Sequence, residues 1–224
     1  MKTPKAVIFD LDGVIVDTVH YYYLSTKKVA DEMGVPFTEV DNLRYQGKSR
    51  RSLMEELASR SNRSFTNKEI EVFGEKRNVY YQQYISELTD AAIFPGVISF
   101  IKDLVEENIK IGLASSSSNA ERVLRQLDLT QYFNVIVNPK AIKQAKPDPE
   151  IFLTAAKKLN VEPDECVAIE DGEAGLTGIL ATDMFSIGVG SYPYLQQADW
   201  HIYSTKDLSW KELTERYQTK EDES

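Results

Sequence analysis

Residues 6–18 read AVIFDLDGVIVDT. An apolar, β-branched run stops abruptly at two carboxylates, Asp10 and Asp12, and Gly13, Asp17 and Thr18 follow. Charge placed beside a core is costly. Two acids closing a buried strand therefore mark a position where chemistry, not packing, selects the residue. Gly13 lets the chain turn sharply after them. On an extended chain Asp12 falls on the same face as Asp10.

Outward from this stretch, 110–116, 133–138, 166–171, 185–190 and 198–203 join 5–10 as short strand-like runs. Most are apolar without clean alternation, the pattern of strands covered on both faces of a parallel sheet. Helical patterns fill the gaps at 96–108, 119–129, 149–160 and 173–182. In the first of these, apolar residues at 97, 98, 101, 104 and 105 line one helix face. Such alternation predicts an α/β fold, a Rossmann-like doubly wound parallel sheet. About a hundred residues separate the first two strands, and 18–90 offers no good strand. It reads as helices at 19–34, 49–61 and 67–88, the first stopped by Gly34 and Pro36. The expected organisation is an α/β catalytic core, 1–17 and 92–224, with an inserted helical cap domain, 18–91. Arg51, Lys76 and Arg77 are expected on a solvated face of that insertion. Tyrosines 21–23, 80, 81 and 84 are expected to pack its helices. The tail KEDES is expected to fray.

Each core strand ends in polar groups: Asp10 and Asp12, then Ser115 to Asn119, then Lys146 in AKPDPEIF, then Glu170 and Asp171. Ligands of open α/β sheets sit at the carboxyl ends of the strands, so four segments converge on one edge. Carboxylates without His or Cys suit a hard cation such as Mg2+. Mg2+ brings phosphate, which hydroxyls, a lysine and the start of the helix from Asn119 can hold. An aspartate beside the cation can attack phosphorus and form an aspartyl-phosphate. Asp12 can protonate the leaving oxygen and later deprotonate the acceptor. A calcium loop is excluded, because counting from Asp10 the required glycine and glutamate positions hold Ile15 and Tyr21.

The four motifs FDLDGVIVDT, LASSSSN, KPDPEIF and AIEDGEAG, in this order across nearly the whole chain, resemble the haloacid dehalogenase superfamily of phosphotransferases. With GKSRRSL at 47–53, the chain is similar to the hexose-phosphate mutases of that superfamily, which interconvert β-glucose 1-phosphate and glucose 6-phosphate through a bisphosphate. The resemblance implies Asp10 as nucleophile and Asp12 as general acid/base. It implies Mg2+ held by Asp10, the Asp12 carbonyl and Asp171, with Glu170 at or beside it. Ser115, Ser116 and Lys146 would grip the transferring phosphate. Arg50, with Gly47 and Ser49 of the same cap motif and Ser117 and Asn119 of the core, would hold the other phosphate; Thr18 closes the first motif. The mutases' usual histidine, tryptophan and lysine are replaced by Tyr22, Thr26 and Gln46, and Ser118 stands where lysine is frequent. A sugar-phosphate phosphatase of the same fold is thus the alternative, and a non-catalytic phosphometabolite binder the third reading.

Composition narrows the partners. Acids outnumber bases 35 to 26 for a net charge of −9, and the one dense basic cluster is Lys48–Arg51, so nucleic acid is not expected. An acidic protein handling an anionic sugar phosphate must build its positive potential locally. The single cysteine, Cys166, precludes an intrachain disulfide and fits a reducing compartment. The N-terminal MKTPKAVIFD reaches an acid too early for a signal peptide, and no apolar stretch nears the ~20 residues of a membrane span. A cytoplasmic monomer is expected.

Overall fold

All four residues of β1 (Ala6–Phe9) are fully buried. A computed structural model describes residues 3–45 and 49–223 of the chain. After β1 come α1 (Val19–Glu32), α2 (Glu39–Arg44), α3 (Arg50–Arg60) and α4 (Asn67–Ile85). The alternating part follows: α5 (Val97–Glu106), β2 (Lys110–Leu113), α6 (Ala120–Gln126), β3 (Val135–Ile136), α7 (Glu150–Leu159), β4 (Cys166–Glu170), α8 (Glu173–Leu180), β5 (Phe185–Val189), β6 (Trp200–Ile202) and α9 (Trp210–Glu223). The strands form one parallel sheet in the order β3-β2-β1-β4-β5-β6. The order reverses at β1, the topological switch point of an open doubly wound sheet.

The apolar runs lack alternation because both faces are covered. Ile8 and Ala168 pack under Phe152, Ala155 and Leu159 of α7 and Ile179 of α8. On the other face the Phe9 ring meets Phe100 of α5 at 6.1 Å and Phe133 at 6.3 Å, edge to face. Burying side chains of this size contributes roughly 1.5–3 kcal/mol each.

The chain divides into two compact units, Met1–Asp17 with Thr89–Ser224, and Thr18–Leu88. In the first, the outgoing and returning passages are tied together. Val16 bridges Ile93, and the Asp17 N–H donates to Ala92 O at 2.8 Å. The second unit has its own core, in which Val29, Met33, Leu53, Met54, Leu57 and Ile70 pack together. Helices α2, α3 and α4 start at side-chain caps: Thr38 with Asp41, Ser49 on Ser52 N–H, and Thr66 with Glu69. Helix α1 ends as expected, with Gly34 at φ 70 and Val35 N–H on Ala30 O at 2.9 Å.

Four expectations are corrected. Residues 133–138 yield only Val135–Ile136 as strand, an edge pairing that Pro139 ends by opening a turn. Helix α2 is additional, a six-residue element too short to show periodicity. Residues 220–223 are helical and finish α9, which Leu213 and Tyr217, one turn apart and buried, anchor, while Ser224 lies outside the described residues. Arg77 is not solvated. It is 9% exposed, its Nε donating to Thr26 Oγ1 at 2.8 Å and its guanidinium lying 5.0 Å from the Tyr22 ring centroid. The tyrosines pack as expected, Tyr22 on Tyr81 at 4.2 Å and Tyr21 on Tyr84 at 5.8 Å.

Gly96, at φ 89, opens α5, and a Cβ there would strike the backbone of Thr205, whose Oγ1 donates to Pro95 O at 2.7 Å. Gly96→Ala is expected to lose at least about 1–2 kcal/mol from the left-handed backbone alone. Urea unfolding at constant slope checks this, and an unchanged midpoint would contradict the packing described.

Candidate active site

Main-chain pairing sets the site. Phe9 is level with Leu113 of β2 and Ile169 of β4. Asp10 N–H donates to Ile169 O at 3.0 Å, and Ala114 N–H to Phe9 O at 2.8 Å. Asp10, Ser115 and Glu170 therefore leave the sheet together at its carboxyl edge. Asp12 lies in the turn that follows the strand rather than on an extended chain. Past Phe9 the backbone folds back, Leu11 O accepting from Ile15 N–H at 2.9 Å and Val16 N–H at 3.1 Å, with Gly13 at φ 93. Asp12 stays close enough for its charge to act on Asp10.

Lys146 comes from the segment between β3 and α7, and its side chain is 3% exposed. Its ammonium donates to Asp10 Oδ1 at 2.6 Å and Glu170 Oε2 at 2.7 Å, and lies 4.8 Å from the Phe152 ring centroid. The other Glu170 oxygen accepts from Asp171 N–H at 3.2 Å and Gly172 N–H at 3.0 Å. Asp10, Glu170 and Asp171 each offer a carboxylate oxygen, all within 4.8 Å of one another. Two glycines make the room. A Cβ on Gly13 would overlap the Asp171 carboxylate, and one on Gly175 would overlap the Glu170 side chain.

The electrostatics follow from crowding. Burial, then Glu170, raise the Asp10 pKa to about 7, against the pull of Lys146. Burial, then the charges of Glu170 and Asp10, raise Asp171 well above the usual carboxylate range. Burial works against the charged form of Lys146, yet Asp10 and Glu170 hold its pKa above the ordinary value. Three acids face one ammonium. An all-oxygen donor set with surplus negative charge fits a hard divalent cation.

The remaining residues fall in two groups. Ser115, Ser117 and Asn119 are buried, and Ser116 is exposed. The loop is tightened by Ser117 N–H on Ser115 Oγ at 3.1 Å and Asn119 N–H on Ser117 Oγ at 3.2 Å. Thr18, Ser49 and Arg50 belong to the helical unit. Thr18 is fully buried at the start of α1. Ser49 Oγ accepts from Ser52 N–H at 3.1 Å, and Arg50 Nη1 pairs with Glu75 at 2.6 Å. Gly47, like Gln46 and Lys48, lies outside the described residues. Sequence reasoning passed over Tyr194, whose hydroxyl donates to Asp171 O at 2.9 Å. It sits in no motif, and only its place after β5, at the same sheet edge, could have pointed to it.

A doubly wound sheet with a buried Asp–Lys–Glu cluster at its switch point defines the class. The chain belongs to the haloacid dehalogenase-like hydrolase family, whose model matches residues 7–189. It is 43% identical over 216 residues to β-phosphoglucomutase of Bacillus subtilis, covering 96% of each chain. It is 38% identical over 178 residues to a phosphorylated carbohydrates phosphatase of Thermotoga maritima, covering 77% of this chain and 78% of that one. The crystal structure of β-phosphoglucomutase from Clostridium difficile superposes with a TM-score of 0.94 at 38% identity, covering 98% of this chain and all of that one.

A raised acid pKa gives a definite sign. Between its ordinary value of 3.8 and about 7, Asp10 holds a proton in the folded state that the unfolded chain has released. Its contribution therefore destabilises the metal-free protein progressively as pH rises through that window. In EDTA, Asp10→Asn is expected to gain melting temperature relative to the unsubstituted protein from about pH 4 to about pH 7 and to level off above. A pH-independent difference in thermal unfolding would refute the crowding.

Proposed function

We propose that this chain is a Mg2+-dependent β-phosphoglucomutase, moving a phosphoryl group between the 1- and 6-positions of a glucose phosphate through an aspartyl-phosphate at Asp10. The buried contact of Lys146 with both Asp10 and Glu170, beside Asp171, carries the reading. It is supported by similarity to the B. subtilis mutase over 96% of both chains, against 77% of this chain for the T. maritima phosphatase.

Asp10, Glu170, Asp171 and the Asp12 carbonyl would hold Mg2+, which supplies positive charge to the phosphate oxygens in the transition state. An Asp10 carboxylate oxygen attacks phosphorus as the bond to the sugar or bisphosphate oxygen breaks, and Asp12 gives that oxygen its proton. In the second half Asp12 takes the proton of a sugar hydroxyl, that oxygen attacks phosphorus, and Asp10 is released as carboxylate. Lys146, Ser115 and Ser116 hold the transferring phosphate. Lys146, kept charged by its two acids, also steadies Asp10 between turnovers. Arg50, with Thr18, Gly47 and Ser49 of a helical unit that acts as a cap, holds the other phosphate together with Ser117 and Asn119 of the core. All these groups come from one chain, and the proposed working form is a monomer with a phosphorylated sugar as its only partner.

An assay with β-glucose 1-phosphate, primed by glucose 1,6-bisphosphate and coupled to glucose 6-phosphate oxidation, is expected to show isomerisation well above phosphate release. EDTA and Asp10→Ala are each expected to abolish it, the latter by about 10^4-fold or more. The T. maritima relative and the replacement at Tyr22 favour the phosphatase as second reading. Phosphate release exceeding isomerisation would establish it.

Arg50→Ala is expected to lower turnover of the sugar phosphate roughly 10–100-fold, matching a charge-assisted hydrogen bond of about 1.5–3 kcal/mol. Phosphorylation of Asp10 by acetyl phosphate, which has no second phosphate, should change little. Equal losses on both substrates would rule out the role given to Arg50.

A further inference from the structure

The main chain of Asp171 lies just past the end of the sheet ladder, because β4 pairs with β5 only as far as Glu170 opposite Gly188. Its backbone polar groups are taken up by side chains instead. The N–H donates to Glu170 Oε1 at 3.2 Å, and the carbonyl accepts from the Tyr194 hydroxyl at 2.9 Å. Tyr194 belongs to the turn between β5 and β6, which carries none of the four motifs. That turn is itself well fixed. Leu195 is fully buried, its N–H donates to Tyr192 O at 3.1 Å, and the rings of Tyr192 and Tyr194 stack at 5.5 Å and 8°. A Cβ on Gly188 would meet Leu195 O at 2.8 Å, so β5 accepts the turn at closest approach.

We propose that Tyr194 is a positioning residue for divalent-cation binding, its hydroxyl fixing the Asp171 backbone so that the carboxylate stands over Gly13 toward Asp10 and Glu170. The inference rests on the metal reading above. A ligand carboxylate on a free turn would be ordered only when the cation arrives, and that ordering weakens binding. Tied at both N–H and C=O, Asp171 has little backbone freedom left to lose. Outer groups of this kind commonly set metal affinity without touching the ion.

The test is a titration of the metal-free protein with Mn2+, a spectroscopic probe for Mg2+, read from the electron paramagnetic resonance signal of the free ion. Tyr194→Phe keeps the ring and its stacking on Tyr192 and removes only the hydroxyl. Its Kd is expected to rise about tenfold, with the melting temperature in EDTA and kcat at saturating Mg2+ little changed. Tyr194→Met should weaken binding to a similar degree, and Tyr192→Phe should not. A rise below threefold in both Tyr194 variants, with binding lost in Asp171→Asn, overturns the role of Tyr194 and leaves the metal site standing. Undiminished binding in Asp171→Asn overturns the metal site and the role of Tyr194 together. A merely structural tyrosine would lower the melting temperature and leave Kd unmoved.

Discussion

At the carboxyl end of this sheet, carboxylate oxygens of Asp10, Glu170 and Asp171 lie within 4.8 Å of one another, and the ammonium of Lys146 bonds two of these acids. Desolvating an ion costs several kcal/mol even after relaxation. One ammonium among three acids does not offset that, which is why Asp10 and Asp171 are driven toward their neutral forms. The cluster is thus short of positive charge, and a divalent cation is the economical way to complete it. The net charge of −9 makes the point more general. A chain this acidic repels a phosphorylated substrate except where positive charge is concentrated, and Lys146 places an ammonium beside Asp10 and Glu170 at the sheet edge.

Holding like charges this close requires a frame that cannot relax. The parallel sheet supplies it, because Asp10 is pinned through its N–H to β4 and the chain before it is paired on both sides. The two glycines act by omission. Side chains at Gly13 or Gly175 would occupy the space of the Asp171 or Glu170 carboxylates. The rigidity of the backbone and the missing side chains are therefore parts of one device, which holds the carboxylates together against their mutual repulsion.

What the sequence made legible follows the same physics. Fully buried strands leave unbroken apolar runs, and acids at their ends cannot be explained by packing, so the fold class and the convergence of Asp10, Lys146, Glu170 and Asp171 could be read directly. Short or irregular pieces could not. Asp12 sits in a turn at Leu11, two residues past the last ladder pair at Phe9, which no alternation in the sequence announces. Helix α2 is under two turns long, and α9 keeps only a narrow buried stripe, so neither imposes a clear period. Tyr194 bonds a main-chain carbonyl, and any residue offers a carbonyl, so no pattern of residue types announces the pair.

Arg77 shows why a departure from a family pattern must be judged with its neighbours. The changes at positions 22 and 26 look independent in the sequence, yet both residues meet the same buried guanidinium. Thr26 offers a hydroxyl lone pair to Nε, which the indole of the tryptophan usual there, a donor only, cannot supply. Tyr22 offers a ring face, stacked in turn on Tyr81. Tyr22, Thr26 and Arg77 therefore form one packed unit spanning α1 and α4, adapted to each other within the helical core. A substitution at any one of them disturbs all three, while the carboxylates at the sheet edge keep their own frame. The carboxylate cluster at the sheet edge and the packing inside the helical unit thus draw on separate sets of residues, and one fold can carry different functions on sites that change independently.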